Sequence, residues 1–257
     1  DGTLLSWASI FSANFPFRTG VTLDNKHKLT NNIKNYFQLF KENGYHAYAS
    51  IPDIKYLYPL ASEFENSDHL HDFYFELPNG LGDKIIKNLK SKSMTEPWIY
   101  FIDINDLHLP NWPSEEFDIP KYGESRYERT ISQIDNWLGK FMECIDLDNT
   151  LIIVTGDHGD YVPFIHNDKH KINLEPNKTQ KILRSIGKKF PTSLRKKLAF
   201  SIIASSTKNQ HQSKINSLDL SPYEKRQLLN TRADKHHYLF DEMMNVPLIF
   251  CGYGVEH

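Results

Sequence analysis

Residues 150–160 read TLIIVTGDHGD. The run Thr150–Thr155 is apolar and β-branched, the composition of a buried strand. Polarity then reverses within one residue, and Asp157-His158-Gly159-Asp160 follows. A carboxylate and an imidazole side by side at the end of a strand offer two metal donors, and the flanking glycines let the backbone turn tightly and admit a bulky substrate. A capped turn is the alternative reading of such a pair. Outward from this stretch, Trp98–Ile104 (WIYFIDI) and Val246–Cys251 (VPLIFC) repeat the strand pattern, and His46–Ile51 is a weaker fourth. They read as buried strands of a parallel sheet covered on both faces. Leu29, Ile33, Phe37 and Phe40 lie at helical spacing before Gly44, and Tyr127, Ile131, Ile134, Leu138, Phe141 and Ile145 form a second stripe. Strands alternating with helices predict an α/β domain, with its ligand site beyond the carboxyl ends of the strands.

Three further clusters fall where such a site would open. Asp106-Leu107-His108-Leu109-Pro110 follows the strand Trp98–Ile104, with a loop that merely satisfies its own backbone as the alternative. The opening run Thr3–Phe11 reads as a turn entering a helix, which makes Thr3 an N-cap or a nucleophile held in a field that favours anions. Lys235-His236-His237, upstream of Asp241-Glu242, and His166, Lys169 and Lys171 are weaker candidates, each readable as a solvated loop.

Composition narrows the class. With 257 residues, 39% hydrophobic and 24% charged, the chain is too apolar to be disordered, and no apolar run approaches the ~18–20 residues of a membrane span. Two cysteines, Cys144 and Cys251, exclude a disulfide framework and a Cys-rich zinc site. The net charge of -2 hides a division. Residues 169–235 hold 16 Lys and Arg against four acids, while the rest of the chain holds 14 against 28. A basic insertion in an acidic body is a solvated loop or a surface for an anionic partner. Within it, Ile182, Leu183, Ile186 and Phe190, then Leu194, Leu198 and Ile202, form short apolar faces ringed by Lys and Arg. Such helices lie on a membrane or pack as a lid on the body.

Taken in order, these clusters resemble the sulfatase branch of the alkaline phosphatase superfamily. Asp157-His158-Gly159 resembles its "TxSDHG" segment, and Asp106–Pro110 its "DPHxP" segment. Asp241-Glu242 with Val246-Pro247-Leu248-Ile249, Gly252 and Gly254 resembles "YEExxRVPLIxxGPG". Phe15–Val21 resembles "YPHRTGV", and Phe40–Tyr45 the end of "LLKENGY". The resemblance covers 1–168 and 236–255. It implies a three-layer α/β sandwich with a mainly parallel central sheet, residues 1–257 being a partial catalytic domain with 169–235 inserted. Sulfatases carry a "CxPSR" or "SxPSR" motif whose first residue becomes formylglycine. The matching positions here are Thr3, Leu5 and Trp7, so Thr3 instead resembles the nucleophile of phosphoethanolamine and phosphoglycerol transferases and phosphodiesterases.

That resemblance implies a metal-dependent phosphoester hydrolase or phosphotransferase working through a phosphothreonine. Asp157, His158 and Thr3 would hold a divalent ion (Zn, Mn, Mg or Ca). His108 would contact the transferred group or protonate the leaving alcohol. Lys169, Lys171, Lys235, His236 and His237 would bind an anionic, lipid- or glycan-linked substrate. The family's first strand, with its acidic ligands, is expected to precede Asp1, where the chain opens without a methionine. A sulfuric ester hydrolase and a non-catalytic anion- or membrane-binding module are the alternatives. A membrane surface or polyanionic glycan is the expected partner of 178–203, with no nucleic acid. Compartment, cell-envelope or cytoplasmic, and oligomeric state stay open.

Overall fold

The computed structural model describes residues 2–22, 28–61, 63–73, 76–91, 93–108, 111–160, 162, 164–175, 212–213, 215–229 and 244–256. In chain order the elements are α1 (Gly2–Ser12), α2 (Pro16–Thr19), α3 (Tyr36–Glu42), β1 (His46–Pro52), β2 (Leu70–His71), α4 (Leu81–Lys90), β3 (Trp98–Ile102), α5 (Arg126–Met142), β4 (Leu151–Thr155), β5 (Phe164–His166), β6 (Lys171–Asn173), α6 (Pro222–Leu229) and β7 (Leu248–Gly252).

The centre is a parallel sheet in the order β2-β1-β3, with His46 opposite Trp98 and Ser50 opposite Ile102. Its faces separate by parity, as a period of two requires. Ile99 and Phe101 of β3 join Leu4, Trp7, Ala8, Phe11 and Phe37 in one core, under α1 and α3. Tyr100 and Ile102, with Ile104 just beyond, join Leu77, Leu81, Ile85 and Phe141 in a second core, under α4 and α5. Helices on both faces of a parallel sheet make the three layers expected from the sequence. The weakest strand signal, His46–Ile51, is the middle strand. Ala47 and Ala49 are fully buried, and their small side chains let α1 and α3 approach.

The helices end where their residues say they should. Asn35 and Gln38 form a reciprocal capping box at the start of α3, so Leu29 and Ile33 precede the helix instead of extending it. Ser125 and Glu128 do the same for α5. Gly44 has φ 83°, the left-handed geometry expected of it after α3.

The strand β4 differs from expectation. It pairs with β7 antiparallel, with Leu151 opposite Gly252 and Thr155 opposite Leu248. One face of this ribbon is open: Ile153 is 55% exposed and Leu248 61%. The reading of both runs as strands buried on both faces is therefore corrected. An apolar run does not encode strand direction, and the alternation of exposed and half-buried residues along β4 is that of an antiparallel pair with one free face. The third unit is the β5–β6 hairpin, whose Ile165, Ile172 and Leu174 pack with Ile215, Leu220 and Leu228. It belongs partly to the basic insertion, most of which (176–211, 214 and 230–235), including the amphipathic run 178–203, lies outside the described residues. Lys171 pairs with Glu124 at 2.6 Å, and the Glu175 carboxylate accepts the backbone N–H groups of Arg126 and Tyr127 at 3.0 and 3.2 Å. The stem of the insertion thus closes the N-terminus of α5.

The aromatic packing beneath α1 is the element most exposed to mutation. Trp7 is 1% exposed and meets Phe101 edge-on at 5.3 Å and Phe11 at 5.2 Å. Trp7→Ala is expected to cost about 3–5 kcal/mol, read as a lower urea midpoint at unchanged m.

Candidate active site

The carboxyl ends of β3 and β4 and the N-terminus of α1 converge. The turn after β4 carries Asp157 and His158. The His158 backbone N–H donates to Asp157 Oδ1 at 2.9 Å, which folds the carboxylate back against its neighbour. The ring nitrogen Nδ1 lies 2.8 Å from the Gly159 carbonyl. A carbonyl only accepts, so Nδ1 carries the proton and Nε2 of the neutral ring keeps its lone pair. Nε2 lies 3.4 Å from the Thr3 hydroxyl and 3.5 Å from Asp157 Oδ2. The close approach of α1 to this turn needs a glycine: a Cβ on residue 2 would sit 2.8 Å from the His158 ring carbon Cδ2. Thr3, Asp157 and His158, chosen from the sequence, are therefore brought together, and the first two turns of α1 fix the position of the hydroxyl.

Two groups that the sequence reading missed share this space. Asp103 follows β3 directly, and its N–H donates to the Ser50 carbonyl at 2.9 Å. Burial, and then the charge of Asp157, push its carboxyl up to about 7, with His158 acting in the opposite sense. Tyr56, just after β1, is raised above the usual phenol range by burial and then by Asp157. The signal for Asp103 was present: it is a carboxylate inside WIYFIDI, two residues beyond Phe101 and so on the same face.

Asp106 does not share the crevice, and the expectation that it opens there with His108 is corrected. Asp106 is buried, and its two oxygens accept the Leu77 N–H at 3.3 and 3.2 Å. Gln133 reaches it from α5 at 3.5 Å. It ties the entry to α4 onto α5, the structural reading of that loop. His108 is exposed beyond β3, its ring edge-on to Phe73 at 5.0 Å. Lys169 is exposed in the turn between β5 and β6, while Lys171 is held by Glu124. Lys235, His236, His237 and Asp241-Glu242 lie outside the described residues.

Among the described residues no three His, Cys, Asp or Glu side chains close around a common point as a metal cage. Thr3, Asp157 and His158 form an open set: one hydroxyl, one carboxylate and one imidazole nitrogen with its lone pair exposed. No helix among the described residues is long and apolar enough to cross a membrane.

Burial, above all, raises Asp106 to about 7 from 3.8. The folded-state value lies above the unfolded one, so protonation favours the folded chain. This contribution to stability is complete below about pH 4 and lost as pH rises through 7. Asp106→Asn, which keeps an acceptor for Leu77, is expected to flatten the fall in melting temperature between pH 5 and pH 8 relative to the parent; an unchanged slope would contradict the assignment.

Comparison with known proteins supplies two findings. The family model described as Sulfatase matches residues 2–250. An uncharacterized protein of Haemophilus influenzae is 33% identical over 81 residues, a match that spans 30% of this chain and 12% of that protein.

Proposed function

This chain belongs to the sulfatase family of the alkaline phosphatase superfamily, and we propose that it cleaves or transfers a phosphoester with Thr3 as its nucleophile. The observation that carries this reading is the approach of the Thr3 hydroxyl to the unprotonated Nε2 of His158 at 3.4 Å, at the N-terminus of an 11-residue helix. The family produces ester hydrolases of phosphate and sulfate. A threonine at the position of the formylglycine precursor favours phosphate.

Members of the family are generally metal-dependent, and the donors here fit a divalent ion in kind. Asp157, His158 and Thr3 would hold it, oxygen and nitrogen donors suited to Zn or Mn, or to Mg or Ca with further oxygens. When bound, such an ion supplies positive charge that lowers the pKa of a hydroxyl and offsets the charge of an anionic ester.

The chain's own residues do the rest. Gly159 fixes the His158 tautomer, so Nε2 always faces Thr3. The first N–H groups of α1 have no intrahelical acceptor, and the first turn contains no acid, so they are available to an anionic oxygen. Thr3 Oγ1 forms a bond to phosphorus in line with the ester oxygen. The P–O ester bond breaks, its electron pair leaves with the alcohol oxygen, and that oxygen takes up a proton, for which His108 is the proposed donor. Water or an acceptor hydroxyl then attacks the phosphothreonine and restores the Thr3 hydroxyl. Lys169 and Lys171, with Lys235, His236 and His237, are proposed to meet the substrate's negative charge. The Lys171–Glu124 pair is exposed on both sides and easily exchanged. A lipid- or glycan-linked substrate would suit the basic insertion, with 178–203 as its contact to an anionic surface.

Thr3→Ala is expected to lower kcat for bis(p-nitrophenyl) phosphate, assayed with Mn, Zn, Mg and Ca in turn, on the order of 10³-fold or more. Thr3→Ser should retain a substantial part, and the parent should show a phosphorylated Thr3 in quenched mass spectrometry. Turnover undiminished in Thr3→Ala, or turnover of an aryl sulfate in its place, would overturn the reading.

A further inference from the structure

The register of α1 on β3 assigns a role to Asp103. Trp7 and Phe11 both pack edge-on against Phe101, at 5.3 and 5.1 Å between ring centroids. Thr3 precedes Trp7 by four residues and so lies on the same face of the helix, about 6 Å further toward its N-terminus. Asp103 follows Phe101 by two residues and so lies on the same face of the chain, about 6.6 Å further toward the carboxyl end of the sheet. Ile99 and Phe101 on this face belong to the core under α1, whereas Tyr100, Ile102 and Ile104 belong to the opposite core. Thr3 meets His158, and Asp103 feels the charges of Asp157 and His158, so the N-terminus of α1 stands at the carboxyl ends of both strands. The helix therefore runs antiparallel to β3. The two steps, one helical turn and one strand dipeptide, are nearly equal in length. With Trp7 seated on Phe101, Thr3 is seated over Asp103.

The surroundings of Asp103 lack what usually pays for a half-buried carboxylate. Its side chain has no hydrogen-bond donor and no Lys or Arg partner among the described residues, and its strongest charged neighbour is a second carboxylate, Asp157. Asp106, three residues on, is stabilised by the Leu77 N–H and Gln133. Two carboxylates converging on one hydroxyl and one imidazole nitrogen make a place where a cation gains more than any neutral partner.

We propose that Asp103 is an additional ligand for the divalent cation, completing with Thr3, Asp157 and His158 a site of three oxygen donors and one nitrogen. This inference rests on the metal reading of Thr3, Asp157 and His158 given above. Four donors of this kind suit Mn or Zn, and the second carboxylate would balance the ion's charge before the anionic ester arrives.

The test is binding, not turnover. Mn2+ titrated into the whole protein and followed by the EPR signal of the free ion gives a dissociation constant without any substrate. Asp103→Asn and Asp157→Asn are each expected to weaken it about 10-fold or more, while the melting temperature of Asp103→Asn without metal stays at or above that of the parent, because a like-charge contact has gone. Asp103→Ser serves the same comparison should the asparagine variant not fold. Parent-like Mn2+ affinity in the Asp103 variants, with weakened affinity in Asp157→Asn, overturns the role of Asp103 and leaves the metal reading standing. Parent-like affinity in Asp157→Asn as well overturns both.

Discussion

The contact of Trp7 and Phe11 with Phe101 sets the position of everything chemical in this chain. It is an apolar contact with no polar partner, and its strength comes from ring area removed from water and from edge-on geometry. Its consequence is a register. A shift of α1 by one residue would rotate it by about 100° and carry Thr3 away from His158. A slip of β3 by one residue would turn Phe101 and Asp103 to the opposite face and bring Tyr100 and Ile102 under α1. Side chains buried in the core thus decide whether a hydroxyl, two carboxylates and an imidazole face one another at the surface.

The helix termini show how the charges are distributed around that register. At α5 the N-terminus is fully provided for: Ser125 and Glu128 cap it, and Glu175 accepts the N–H groups of Arg126 and Tyr127. Nothing remains there for a ligand. At α1 the first turn contains no acid, and the residue before Trp7's turn is the hydroxyl of Thr3. Two helices of the same domain therefore use the same backbone donors differently. One set is consumed in fastening the stem of the basic insertion to the body, and the other is left facing the crevice.

Much of this arrangement was legible in the sequence, for identifiable reasons. The abrupt change from Leu151–Thr155 to Asp157-His158 is a strand ending in polar residues, and the run from Thr3 to Phe11 has the composition of a helix; the structure joins them at Thr3 and His158. The direction of β4 and β7 was not legible, because apolar composition is the same in a parallel and an antiparallel strand. The central position of His46–Pro52 was hidden by its alanines, which weaken a hydrophobic signal for the same reason that they allow close packing. Asp103 was hidden inside a run read as continuous strand. Asp106 looked like a site residue because an acid beyond a strand end has the same appearance in sequence whether it faces a crevice or a backbone N–H.

Asp103 and Asp106 separate those two cases. Burial pushes both carboxyls up to about 7, so the perturbation alone does not distinguish them. Their partners do. Asp106 belongs to the α4–α5 side of the chain, where the Leu77 N–H and the Gln133 amide stabilise its charged form from two directions. Asp103 belongs to the α1 side, and the neighbour that contributes most after burial is another carboxylate, which makes its charge harder to keep. A fold gains stability from the first arrangement and loses it in the second. The cost at Asp103 is recovered only when something cationic enters between it and Asp157, which is why a residue unfavourable to the empty fold belongs to the site and its better-bonded neighbour does not.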